Sequence, residues 1–234
     1  MIPISDDNPV RLTPWVNWSL IGLCAAVFAW ELSLGARLPA ALDVLGFAPV
    51  SLAAAAARVP GYVVVPPWIT IFTAMFLHGG WLHIAGNMLY LWIFGNNVED
   101  AMGHWRYLVF YLACGVAAAF SFAAMAPGSS IPMIGASGAI SGVLAAYVLL
   151  YPRALIRVVV PLGVLPYFLR ISAGWVVGFW FVMQLVNAVL ARPGDPGVAW
   201  WAHVGGFLAG GLLTPLFKSS QVHLFGNVRR GPWG

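Results

Sequence analysis

Four side chains able to do chemistry stand out in an otherwise apolar chain: His83, Asn87, Ser137 and His203. A serine beside a histidine is the minimum equipment for acyl transfer. The imidazole takes the hydroxyl proton during attack and returns it to the leaving amine. Ser137 has the type of a nucleophile and His203 that of its general base. A tetrahedral intermediate also needs hydrogen-bond donors for its oxyanion. His83 and Asn87 are four residues apart, on one face of a helix, and supply two. The backbone N–H of Ser137, at a helix N-terminus, supplies a third. Gly135 lets the chain turn sharply before the serine and lets a substrate approach.

Sites of this kind commonly add an acid that orients the histidine. The chain has seven acids, Asp6, Asp7, Glu31, Asp43, Glu99, Asp100 and Asp195. Only Asp195, in the loop before the last apolar run, comes near, so a dyad without a carboxylate is expected. A zinc protease would need His-Glu-x-x-His. His78 and His83 are five apart with no glutamate between them, so neither metal nor cofactor is expected. An aspartyl site is excluded because no two aspartates fall within apolar runs.

These residues must be positioned by membrane helices. Of 234 residues 61% are hydrophobic and 8% charged, with a mean hydropathy of +0.87, whereas soluble domains keep roughly a quarter charged. The fold class expected is all-α, a polytopic bundle of six transmembrane helices. A span needs about 20 apolar residues. Five runs qualify, about 16–34, 82–98, 105–126, 173–191 and 199–217, and a sixth, about 136–152, is short but apolar. Trp15, Trp18, Trp30, Trp81, Trp105, Tyr151, Trp175, Trp200 and Trp201 mark their ends as interfacial anchors do.

The stretch between Arg157 and Arg170 is too short to span, contains Pro161 and Pro166, and is placed at the interface. Tyr62 to Leu77, with Pro66 and Pro67, reads as an irregular or partly embedded entry to the second span. With the N-terminus inside, Arg11, Arg106, Arg153, Arg157, Arg170, Lys218, Arg229 and Arg230 fall on the inner side. Only Arg37, Arg58 and Arg192 fall outside. That asymmetry obeys the positive-inside rule and puts both termini in the cytoplasm. The chain divides into a short cytoplasmic N-terminal segment (1–15), a six-span membrane domain (16–217) and a cytoplasmic tail (218–234). Its acidic, proline-containing start differs from a signal peptide. The net charge of +4 is scattered around the spans, which gives no support to nucleic-acid binding.

This topology makes a prediction of its own. Spans two, four and six run from outside to inside, so their first turns share one depth near the outer face. Those turns hold His83 and Asn87, Ser137, and His203. Isolated polar groups in lipid are costly unless paired within the bundle. Gly138 and Gly142 form a small-residue face on span four, and Gly206 and Gly210 lie on the face of His203 in span six. Small residues let backbones approach closely and would bring the hydroxyl to the imidazole. Taken alone, either face would also suit simple packing.

Three segments carry a resemblance. His78-Gly-Gly-Trp-Leu-His83-Ile-Ala-Gly-Asn87, Gly135-Ala-Ser137-Gly138 and Ala202-His203-Val-Gly-Gly closely resemble the signature motifs of rhomboid proteases, in the family's order. The likeness extends through Trp92-Ile-Phe-Gly-Asn-Asn-Val-Glu99 and Tyr151-Pro-Arg153, covering roughly residues 66–215. It implies an intramembrane serine endopeptidase with Ser137 and His203 as dyad, His83 and Asn87 on the oxyanion, and His78 in a more structural role. It also implies single-span membrane proteins as substrates, cut near the outer face in the cell membrane, and span five as their lateral entrance. Some members carry a tyrosine four residues after the serine, stacked on the histidine. Here that position is Ser141, which leaves the support of His203 open.

Gln184 and Asn187 in span five read as packing residues, Cys24 and Cys114 as buried thiols, and His104 and His223 as surface or interface residues. The competing class is a catalytically inactive rhomboid-like protein that binds membrane clients. Such a protein is expected to lose the serine or the histidine, and this chain has both. Oligomeric state is not legible.

Overall fold

The computed structural model describes residues 1–53, 65–162, 165–191 and 198–226. Arg58, Arg192, Asp195, Arg229 and Arg230, and the parts of the entry segment and tail around them, lie outside the described residues. The chain opens with strand β1 (Ile2–Asp6) and helix α1 (Trp15–Ser33). A short helix α2 (Leu38–Leu45) and a single turn α3 (Val50–Ala53) follow. Helix α4 (Pro67–Thr73) starts on a proline, whose missing N–H costs nothing at a helix start. After a 3₁₀ turn (Ala74–Phe76), α5 (Trp81–Met102) leaves at 83° to α4. The entry to the second span is thus a sharply bent helix pair, either a broken span or a re-entrant turn.

Inside α5, Leu91–Gly95 widens to a π-helical turn. Such turns free main-chain groups from the regular ladder. Asn17 of α1 donates its side-chain amide to the Leu91 carbonyl (3.0 Å) and accepts the hydroxyl of Tyr107 (2.8 Å). The acids near the C-terminal end of α5 serve the N-terminal segment. Glu99 accepts the N–H groups of Val16 (3.0 Å) and Asn17 (2.7 Å), and Asp100 accepts those of Arg11 (3.1 Å) and Leu12 (2.7 Å). A carboxylate at a helix start satisfies free donors and suits the helix dipole.

The next helices are α6 (His104–Met125) and α7 (Ser137–Leu150). The segment between Arg157 and Arg170, read as too short to span, comes next. It forms an antiparallel hairpin, β2 (Leu155–Leu162) with β3 (Leu165–Ser172), and β1 pairs with β2 to complete a three-stranded sheet in the order β1-β2-β3. Ile156 and Val158 point into the core while Leu155 and Arg157 point out, the period of two that a strand imposes. The chain is therefore mostly helical rather than purely all-α, and the short N-terminal segment 1–15 contributes strand β1.

Helices α8 (Ala173–Leu190) and α9 (Trp200–Phe217) close the bundle. Among the described residues α1, α6 and α8 are long and apolar enough to cross a membrane, and a fourth crossing follows if α4 and α5 count as one. Helix α7 has 14 residues, about 21 Å of rise, which is short for a core of about 30 Å. Its residues from Gly138 to Tyr147 are all buried, so it is sheathed by protein rather than lipid. In α9, His203 and Gly205, Gly206, Gly210 and Gly211 dilute the hydropathy.

Helix α7 runs through the centre, packed on α6 and α9. Its glycine face meets that of α9. A methyl group at Gly206 would overlap the Gly138 carbonyl, and one at Gly210 would overlap Gly142. Cys114 of α6 lies against Gly142, and both cysteines are buried and unbridged. His223 is exposed, whereas His104 forms an ion pair with Glu99.

Candidate active site

Ser137 is the first residue of α7, so its hydroxyl stands at the N-terminal end of this buried helix. The approach is fixed by main-chain bonds: Met133 pairs with Phe47 (2.8 and 3.0 Å), and Gly135 donates to Ala74 (2.8 Å). Gly135 has φ of +116°, a region that side-chain-bearing residues avoid. Space forbids a side chain as well, since a Cβ there would lie 2.6 Å from His83 Nε2 and 3.6 Å from Asn87 Nδ2. The chain is thus folded tightly against both residues just before the serine.

His203, one turn into α9, is buried and places Nε2 2.7 Å from Ser137 Oγ. Its Nδ1 lies 2.7 Å from Oε1 of Gln184 on α8. Trp180 and Trp200 flank the ring, with centroids 6.1 and 6.0 Å away. Ser141 turns back to donate to the Ser137 carbonyl (2.6 Å) and gives the imidazole no hydrogen bond. Gln184, read from sequence as packing, is therefore the residue that meets the imidazole. Its spacing in α8 carries no motif, because the contact comes from a different span. Asn187 back-bonds to Met183 (2.7 Å) on the same helix.

The opposite wall comes from α5. His83 Nδ1 accepts the N–H of Gly79 (3.3 Å), so the neutral ring carries its proton on Nε2, the atom facing Gly135. Asn87 is buried and its Nδ2 has no hydrogen-bond partner. Two donors thus face the turn that carries Ser137. His78 is buried behind them: its N–H meets the Glu31 carboxylate (3.0 and 3.3 Å), its Nδ1 the Phe76 carbonyl (3.1 Å), and its ring stands edge-on to His83 at 5.2 Å. Gly138 packs on Ala118 and the Ala202 carbonyl.

A cavity of about 1020 Å³ joins these groups, with His83, Asn87, Ser137 and His203 among its walls, together with Trp180 and Met125. Among the described residues no cluster of three His, Cys, Asp or Glu side chains could hold a metal ion.

The apolar helices and the converging polar site define a multi-pass membrane protein with a serine–histidine pair inside its bundle. The family model for the rhomboid domain matches residues 66–220, more than half of the chain, and the chain belongs to the rhomboid family. It is 40% identical over 79 residues to rhomboid protease GluP of Bacillus subtilis, a match covering 34% of this chain and 15% of that one. Over 82 residues it is 37% identical to Rhomboid-type serine protease 2 of Emericella nidulans, 35% of this chain and 16% of the relative. Over 143 residues it is 31% identical to the human mitochondrial presenilin-associated rhomboid-like protein, covering 58% of this chain and 34% of the relative. In each case the chain spans about a third or less of the relative's length. The family thus includes serine proteases and has mitochondrial members.

Proposed function

We propose that this protein is an intramembrane serine endopeptidase that cuts single-span membrane proteins near the outer face of the bilayer. The observation that carries the reading is the 2.7 Å contact between His203 Nε2 and Ser137 Oγ beside a cavity whose walls include His83 and Asn87, the Asn87 amide nitrogen having no hydrogen-bond partner. Ser137 Oγ attacks the scissile carbonyl carbon while its proton passes to His203 Nε2. The oxyanion forms beside His83 Nε2–H, Asn87 Nδ2 and the Ser137 N–H. The tetrahedral intermediate expels the amine, which takes the proton from His203. Water then hydrolyses the acyl-serine, again with His203 as base, and the serine is regenerated.

The setting belongs to the same proposal. The six runs cross a cell membrane with both termini cytoplasmic, and Gln184 and Trp180 of α8 border the side from which a substrate helix would enter. No cofactor or metal takes part. The partners are transmembrane substrates and the surrounding lipid.

The test is cleavage in liposomes by the wild type and by Ser137→Ala, with a generic single-span substrate. Wild-type cutting near the outer end of the helix, absent in the variant, is expected. Equal cutting by both would remove Ser137 as nucleophile. If neither cuts, fluorophosphonate labelling decides: labelling at Ser137 keeps the enzyme reading with another substrate, and its absence favours a non-catalytic client binder.

A further inference from the structure

Building on that dyad, we propose that Gln184 is a positioning residue that sets the tautomer of His203. A general base at Nε2 needs its lone pair there, and the proton of the neutral ring must then sit on Nδ1. Nδ1 faces the Gln184 side chain at 2.7 Å, so an oxygen at that point selects the working tautomer and a nitrogen selects the wrong one. An amide can present either end. Here the choice is made one turn earlier on α8: Gln184 Nε2 lies 3.2 Å from the Trp180 carbonyl, which only accepts. Turning the amide over would set oxygen against oxygen at Trp180 and N–H against N–H at the ring. The Trp180 carbonyl thus directs the Gln184 amide, and the amide directs the imidazole. Gln184 is itself buried.

The chemistry suits the location. A carboxylate in this place would have to be buried in an apolar bundle, which is costly without a partner charge. A neutral amide fixes orientation and still turns its negative end toward the imidazolium formed during attack. The acceptor is supplied by α8, while the nucleophile and base come from α7 and α9. A shift of α8 that breaks this one bond leaves Ser137 and His203 adjacent but frees the ring to change tautomer.

The experiment compares Gln184→Leu and Gln184→Glu with the wild type by steady-state cleavage and by the rate of fluorophosphonate labelling at Ser137. Leucine keeps the bulk and removes the acceptor. It should lower kcat and the labelling rate by about 10- to 100-fold and leave KM within about twofold. Glutamate restores an acceptor, ionised or protonated, and should recover most of the lost rate. Gln184→Leu at wild-type rate would overturn the proposal, as would loss in both variants with unchanged thermal unfolding. A variant that fails to fold is recognised by its melting curve, and Gln184→Met then replaces it. Labelling needs no substrate, which separates the two claims. A wild type that neither cuts nor labels sinks the dyad itself, whereas a labelled wild type matched by Gln184→Leu sinks only the role of Gln184.

Discussion

Gly206 of α9 lies so close to Gly138 of α7 that its missing side chain is filled by the Gly138 carbonyl oxygen. This contact sits one turn below the Ser137–His203 hydrogen bond and sets the separation of the two helices that carry it. A methyl group at position 206 must push them apart. Gly206→Ala should lose about 1–3 kcal/mol of stability. A displacement of about 1 Å at the dyad should slow Ser137 labelling by about 100-fold. Gly211→Ala is the control, since nothing lies within 4 Å of a Cβ there, and its thermal midpoint should be unchanged or slightly higher.

Asn87 gives the opposite separation of stability from activity. Its amide nitrogen is buried without a hydrogen-bond partner in the resting protein, an arrangement that costs folding energy. If that donor is reserved for the oxyanion, Asn87→Ala should reduce kcat by roughly 100-fold, as loss of one such donor does. Thermal unfolding should be unchanged or occur at a higher temperature. A fall in melting point without loss of rate would assign Asn87 to packing instead.

How much of this was legible in the sequence differs from residue to residue. Ser137, His203, His83 and Asn87 could be grouped because the expected alternation of span direction would put their helix starts at one depth. Glycine periodicity pointed to the faces of α7 and α9 that meet. Gln184 could not be recognised, because its partner lies 19 residues away on a neighbouring helix and its meaning depends on helix rotation. The hairpin is not legible for another reason. Pro161 and Pro166 excluded a span, but they face each other across the hairpin, and the Val158–Val160 run before them favours a strand. The strand Ile2–Asp6 had no visible partner until that hairpin formed. Sequence hydropathy also could not tell that α7, at 14 residues, is lined by other helices instead of lipid.

Glu99 ties the C-terminal end of α5 to the start of α1. Its fully buried carboxylate accepts two main-chain N–H groups, from Val16 and Asn17, and the side chain of His104. Hydrogen bonds to a charged group contribute about 1.5–3 kcal/mol each. Glu99→Ala should therefore destabilise the protein by about 3 kcal/mol or more, read as a lower midpoint in detergent unfolding. His104→Ala should cost about 1 kcal/mol or less, because its side chain is 45% exposed and an exposed partner is weakly held. Fluorophosphonate labelling of whichever molecules remain folded should be normal in both, since Glu99 is near the C-terminal end of α5 and Ser137 is at the N-terminal end of α7.

Asp6 of β1 makes the fold sensitive to pH. Burial raises its carboxyl from 3.8 to about 6, against the opposing effect of the hydrogen bond from Tyr147, which lies 2.6 Å away. A carboxyl with a higher pKa in the folded state than in the unfolded state binds more protons when folded. Stability must then fall as pH rises between about 4 and 6, with a slope on the order of one proton, and level off above that window. The contribution of Asp6 is most favourable below pH 4, where it is protonated in both states. Asp6→Asn keeps an acceptor for Tyr147 and removes the ionisation, so it should abolish this part of the slope and raise the melting temperature at pH 7 relative to wild type. Unfolding curves of the two proteins at several pH values across that window test the claim. Parallel curves would mean that Asp6 ionises in the folded protein as it does in the unfolded one.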